Sequence, residues 1–225
     1  MKWFIISFIS LELLFSSDFN ILTFNIHALP TIIARDNPKK RIIKIINNVN
    51  SYDIIFFQEN WIFSKNYLTK ISPNYQWLVS KRSGLTIGVS NIYEMLSVVE
   101  QSYDDCSGWL FDANDCFAKK GFIHIKIKIE NQILDFYNTH LDAGNSKSDF
   151  NVRELQIKHL LNYIKSFTTE GAVILVGDLN INSLIDKEIY LIKYFKDEFG
   201  LNQVDWSFEE PAQLEILDYI LYRGA

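Results

Sequence analysis

The sequence predicts an α/β domain. Apolar runs of strand length alternate with amphipathic helical stretches, four of those runs break off abruptly into polar side chains, and one stretch, Phe122 to Glu130, alternates apolar and polar residues at period two. With 225 residues, 48% of them hydrophobic and 15% aromatic, the chain can bury a large core within one domain. No repeat, low-complexity tract or linker interrupts it.

At the start, residues 1–17 carry Lys2, an almost continuous apolar run from Trp3 to Phe15, then Ser16 and Ser17, which is the order of a secretory signal peptide. The run is too short to span a membrane. Glu12 inside it, and Leu14 and Phe15 where small residues are preferred, leave an N-terminal strand or helix as the alternative. The expectation is export, to a secreted or periplasmic location, with residues 18–225 forming the domain.

Asn20 to Asn25 reads as a buried strand closed by the turn Ala28-Leu29-Pro30. Asn37 then caps a helix with Pro38 at its first position, and Ile42, Ile45, Ile46 and Val49 recur at helical spacing. Asp53 to Phe57 is a second strand, ending in Gln58-Glu59-Asn60. A short helix over 64–72 precedes Pro73, and strands follow over Tyr75–Val79 and Leu85–Ser90. Cys106 and Cys116 flank an aperiodic loop, which in an exported protein favours a disulfide over two reduced thiols. Trp109 and Phe111 in that loop are candidates for a membrane interface or for burial beneath the loop.

In Phe122 to Glu130, strict alternation places His124, Lys126 and Lys128 on one face, expected to be solvated. Asn131-Gln132 turns the chain into the strand Ile133–Tyr137, which empties into Asn138-Thr139-His140-Leu141-Asp142-Ala143-Gly144. His140 is there either a site residue or a turn histidine bonded to a carbonyl. A helix over Asp149–Phe167 directs Val152, Leu155, Leu160, Ile164 and Phe167 inward and Arg153, Lys158 and Lys165 outward. Ala172 to Gly177 is another buried run, with Asp178 and Asn180 at its exit and a glycine that would let the backbone approach a bound group. A helical stretch over Ser183–Phe199, an irregular loop at Trp206–Pro211 and a strand over Ile216–Tyr222 complete the chain.

Four strand exits thus present Asn25, Glu59, His140 and Asp178 with Asn180. Oxygen donors with few carboxylates describe a Mg²⁺ site, with Mn²⁺ as a substitute, completed by water and a substrate phosphate; they do not describe a closed zinc site. Phosphoryl chemistry follows, with Asn and cationic His donors holding the non-bridging oxygens. A net charge of −5 lowers the standing of nucleic acid as a partner. Nothing in the chain calls for an oligomer.

Thr23-Phe24-Asn25, Phe57-Gln58-Glu59, Asn138-Thr139-His140-Leu141, Gly177-Asp178-Leu179-Asn180 and Leu217-Asp218-Tyr219-Ile220 together resemble the endonuclease/exonuclease/phosphatase superfamily, the DNase I-like enzymes. Asp115 to Gly121 and the Thr-His-Leu-Asp-Ala-Gly form of the histidine motif look most like its Mg²⁺-dependent neutral sphingomyelinase branch. The resemblance implies a four-layer αββα sandwich and hydrolysis of a phosphodiester such as sphingomyelin, with peripheral membrane contact. It implies Glu59 as the main metal ligand with Asn25 assisting, His140 and Asn180 on the phosphate, Asp178 orienting the attacking water or its base, and Lys120 serving the active-site loop. The family's C-terminal Ser-Asp-His segment, whose histidine activates water, has no counterpart among His27, His124, His140 and His159. The expectation is a domain lacking its C-terminal strand that binds metal and phosphate but hydrolyses poorly. A nuclease or inositol-phosphate phosphatase of the same fold, and an inactive remnant, are the alternatives.

Overall fold

In the computed structural model, which describes residues 19–107, 116, 118–168, 171–204 and 216–224, two sheets stack face to face and helices cover both outer faces. The expected signal peptide, Trp109, Phe111 and the Trp206–Pro211 loop lie outside the described residues. β1 (Ile21–Ala28) leads through α1 (Thr31–Ala34) and α2 (Pro38–Val49) into β2 (Ile54–Asn60), its parallel neighbour. Asn37 caps α2 by accepting the Lys40 N–H at 3.0 Å, with Pro38 where a helix needs no donor. α3 (Lys65–Ile71), capped by Ser64, precedes the antiparallel strands β3 (Tyr75–Val79) and β4 (Thr86–Ser90). The first sheet runs in the order β1-β2-β4-β3.

The second sheet contains β5 (Glu94–Ser102), β6 (Gly121–Ile129), β7 (Gln132–His140), β8 (Ala172–Asp178), β9 (Asn202–Gln203) and β10 (Asp218–Arg223), in the order β5-β6-β7-β8-β10-β9. Between β7 and β8 the chain crosses over through α4 (Lys147–Phe167), so that these two strands are parallel. α5 (Asp186–Phe199) follows β8 and ends on Gly200 in the left-handed conformation. Ser146 and Asp149 form a reciprocal capping box at the start of α4.

Three hydrophobic clusters define the layers. Ile42, Ile46 and Val49 of α2 meet Leu22, Ile55 and Phe57 on the outer face of the first sheet. Ile54, Phe56 and Ile87 face Ile125, Phe136 and Ile174 between the sheets. Leu160, Ile164, Leu191 and Phe195 of α4 and α5 pack on Phe122, Tyr137 and Leu175. This is the αββα sandwich the sequence implied.

Coverage of the second sheet by α4 overturns one expectation. His124 is buried, its ring stacked on Tyr137 and bonded to Asp135 and to Tyr163 of α4, and only Lys128, farther along β6, is exposed. On α4, Val152, Leu160 and Ile164 are buried and Lys158 and Lys165 exposed as expected, but three positions differ. Leu155 and Phe167 are exposed, while Arg153 is wholly buried, donating to the carbonyls of Asp142 at 3.1 Å and Gly144 at 2.8 Å and pairing with Glu188 at 3.2 Å. Among the described residues, no helix is long and apolar enough to cross a membrane.

Candidate active site

Parallel pairing brings strand exits to the same edge of each sheet. In the first sheet Asn25 lies opposite Gln58, and a bulge between Asn25 and Ala28 lets the chain turn outward beside Glu59. In the second, His140 lies opposite Asp178, and the antiparallel β10 places Asp218 opposite Asp178 on its other side. Asn25 joins the two halves: its Nδ2 donates to Glu59 Oε1 at 2.8 Å and to Asp178 Oδ2 at 2.9 Å. His140 Nε2 stands 3.8 Å from the same Asp178 oxygen. Asn180 donates its main-chain N–H to Asp178 Oδ1 at 3.0 Å, and its side-chain amide to the Leu141 carbonyl at 2.9 Å. Lys120 Nζ donates to that same carbonyl at 3.0 Å. All six residues singled out in the sequence, Asn25, Glu59, Lys120, His140, Asp178 and Asn180, therefore converge.

Buried polar groups fix this edge from beneath. Gln58 Nε2 donates to Thr23 Oγ1 at 3.1 Å in its own sheet and to Asn138 Oδ1 at 2.8 Å across the sandwich. Asn138 Nδ2 reaches back to the carbonyls of Phe57 and Thr86, each at 3.2 Å. Gly177 has a different reason from the one expected: a Cβ there would lie 1.9 Å from the Thr139 carbonyl, so the glycine permits close approach of β7, the neighbouring strand. Three of the five described non-glycine residues with positive φ are His27, Glu59 and Asn180, all at this edge. Strained backbone concentrates where a site demands it.

The loop after His140 is held as firmly. Cys106 and Cys116 form a disulfide with Cα atoms 5.1 Å apart, as expected. The adjacent Ser107 gives its main-chain N–H to Asp142 Oδ2 at 2.7 Å, and its hydroxyl bonds to Asp142 and Asp149. Gln156 donates to Asp142 Oδ1 at 3.1 Å and accepts the Asp142 N–H at 2.9 Å.

Burial decides the charges. His140 is driven well below its ordinary pKa by burial and, secondarily, by the Lys120 charge, an environment that favours the neutral imidazole over the cationic donor expected from the sequence. Burial raises the Asp178 carboxyl despite the Asn25 hydrogen bond, and raises Asp218 well above its ordinary value, with the Asp178 and Glu59 charges adding to it. His140 Nδ1 and Asp218 Oδ1 are buried without a hydrogen-bond partner among the described residues. Unmatched acceptors among mutually repelling carboxylates fit a cation. No closed cage of three His, Cys, Asp or Glu side chains exists among the described residues. An open set of one or two carboxylates and an amide suits Mg²⁺ or Mn²⁺, whose remaining positions go to water and phosphate.

Two residues at this edge were not singled out as site residues in the sequence. Asp218 was legible only as part of a motif, because its role depends on β10 pairing with β8. His27 was named only among the four histidines that lack the C-terminal position, yet its Nδ1 lies 2.8 Å from Glu59 Oε2.

The sequence model for Endonuclease/Exonuclease/phosphatase family 2 matches residues 79–197. The chain belongs to the endonuclease/exonuclease/phosphatase family. Among curated proteins, a family relative named sphingomyelinase from Mycobacterium tuberculosis is 23% identical over 237 residues, covering 93% of this chain and 46% of the relative. The chain thus spans about half the length of that relative. Solved structures with the same fold include a mutant of beta toxin from Staphylococcus aureus with bound magnesium ions, at TM-score 0.73 and 18% identity, covering 92% of this chain and 84% of that one. Another is sphingomyelinase C from Streptomyces griseocarneus, at TM-score 0.71 and 18% identity, covering 91% and 83%.

Proposed function

We propose that this chain is a Mg²⁺- or Mn²⁺-dependent phosphodiesterase whose substrate is a phospholipid, sphingomyelin foremost. The observation that carries the reading is the oxygen-donor group of Asn25, Glu59, Asp178 and Asp218 assembled across two sheets beside His140 and Asn180. Relatives named sphingomyelinases support the choice of a phospholipid over other phosphodiesters. Glu59 and Asn25 would hold the cation. When bound, it would polarise a phosphoryl oxygen and offset the charge developing there. Neutral His140 and the Asn180 amide donate to the non-bridging oxygens, which gain charge in the transition state. Asp178, its pKa raised by burial, accepts a hydrogen bond from water and orients it for attack. Lys120 and Asn180 share the Leu141 carbonyl and so hold the loop after His140 in place. A secreted or periplasmic location and peripheral contact with a membrane belong to the same proposal.

A second reading, binding with little turnover, has its own observation. His124 is committed to Asp135 beneath α4, and His159 lies against Tyr103 and Phe122, so neither is placed to activate water. Absence of a general base costs about 10²- to 10⁴-fold in rate. The test is purified chain with sphingomyelin vesicles, plasmid DNA and a soluble phosphomonoester, each with Mg²⁺ and with chelator. Mg²⁺-dependent phosphocholine release, lost in Glu59→Gln, supports the first reading. Nicking of DNA moves the substrate to nucleic acid, and cation-dependent thermal stabilisation without any product supports the second reading.

A further inference from the structure

We propose that His27 is a ligand of the cation bound at Glu59, which gives the site an imidazole nitrogen and a preference for Mn²⁺ over Mg²⁺. The inference rests on the metal-dependent reading above and adds a donor to it. His27 sits in the bulged end of β1 at φ +46°, a conformation uncommon for a residue with a side chain, and its ring reaches Glu59. Nδ1 stands 2.8 Å from Glu59 Oε2, while the other carboxylate oxygen, Oε1, accepts the Asn25 amide at 2.8 Å. The carboxylate is thus bracketed by two side chains that can both ligate. Two donors on one octahedral ion with bonds near 2.1 Å lie about 3 Å apart, a spacing the nitrogen and Oε2 already have.

The backbone of the same residue orients a second donor. His27 N–H donates to Asn25 Oδ1 at 3.0 Å, and its carbonyl is held by the Leu29 N–H at 2.9 Å and by the Arg41 guanidinium at 2.6 Å. The strained turn is therefore braced on both sides of the ring. With 56% of the side chain exposed, the imidazole is oriented by its hydrogen bond to Glu59 and not by burial in a core. Mg²⁺ selects oxygen and dehydrates reluctantly, whereas Mn²⁺, the first of the transition-metal series whose affinity for nitrogen donors rises toward copper, accepts an imidazole more readily, so one nitrogen donor tilts the choice between these two ions toward Mn²⁺.

The test loads the full chain with Mn²⁺ and records electron spin echo envelope modulation, alongside calorimetric titrations with MnCl₂ and MgCl₂. The wild type is expected to show modulation from a directly bound ¹⁴N. His27→Asn, chosen because Asn tolerates positive φ, and His27→Gly, which removes the strain altogether, are expected to bind Mn²⁺ without that modulation. Their Mn²⁺ affinity falls on the order of tenfold, with Mg²⁺ affinity changed much less. His140→Gln is expected to keep the signal, which assigns the nitrogen to His27. Mn²⁺ bound to the wild type without nitrogen modulation, or modulation that survives in both His27 variants, overturns the inference and leaves the metal site standing. No Mn²⁺ or Mg²⁺ binding by the wild type overturns the metal-dependent reading itself, and this inference with it.

Discussion

Replacing Gly177 with alanine perturbs the seam between β7 and β8 one residue before the site. Gly177 sits at φ +144°, and a Cβ would meet the Thr139 carbonyl at 1.9 Å, a backbone atom that cannot swing aside as a side chain could. The strands must part by about 1 Å before such a contact is tolerable, weakening two or three neighbouring ladder bonds at roughly 1 kcal/mol each. Backbone strain adds about 1–3 kcal/mol. Gly171 separates the two costs: it also has positive φ, +100°, but nothing lies within 4 Å of a Cβ built on it, so Gly171→Ala carries strain alone. Gly177→Ala should therefore be less stable than Gly171→Ala by about 2–3 kcal/mol, a difference of about 4–12 °C in melting temperature for a chain of this size. Thermal melts followed by circular dichroism measure it. Equal melting of the two variants would refute the close-approach argument and return Gly177 to the role of making room for a ligand.

Arg153→Met strips Glu188 of its buried partner and leaves two carbonyls without their donor, an expected loss of about 3–5 kcal/mol in urea unfolding; adding Glu188→Gln should recover part of it, and a loss below 1 kcal/mol would show that the pair contributes little. Burial pushes the Asp135 carboxyl up, but hydrogen bonds and charges from His124 and Lys126 outweigh it and hold the group below its ordinary value. The stabilisation is therefore complete above the unfolded carboxylate pKa of about 3.9 and disappears as pH falls through the lower folded value. Wild-type stability should drop more steeply than that of Asp135→Asn on acidification below about pH 4, and parallel profiles would contradict the assignment. Reducing the Cys106–Cys116 disulfide, or replacing both cysteines with serine, should cost up to about 3 kcal/mol in denaturant unfolding, and an unchanged midpoint would show that Ser107 and its carboxylate partners hold the loop alone.

Strands with continuous apolar runs were legible because burial on both faces writes a pattern that local sequence cannot hide, and the polar residue ending each run marked the site. β6 shows where that logic stops. Its alternation correctly sorted two faces, but whether the polar face meets water or a helix depends on α4, whose Tyr163 stands 39 positions after His124, and His124 was misread on that account. Arg153 failed for a related reason, since a charge on a helix reads as exposed until the carbonyls and carboxylate that receive it are located. Asp218 and His27 needed information of another kind: the register of β10 on β8, and a bulge that turns a residue out of its strand. Neither follows from periodicity. The convergence of the remaining exits was readable because each apolar run breaks off in a polar residue, which parallel pairing then brings to one edge.

The Asn25 bridge between Glu59 and Asp178 has a consequence for how competence is acquired. Asn25 and Glu59 lie on the first sheet and His140 and Asp178 on the second, and residues 153 positions apart in sequence must meet before the two halves face one another. A refolding molecule with all its strands paired, but with the two sheets not yet docked, holds the Asn25–Glu59 pair apart from Asp178, His140 and Asn180. Formation of the Asn25–Asp178 contact after denaturation should therefore lag behind recovery of secondary structure and follow the docking step, which makes the assembled edge a reporter of a late long-range event in folding.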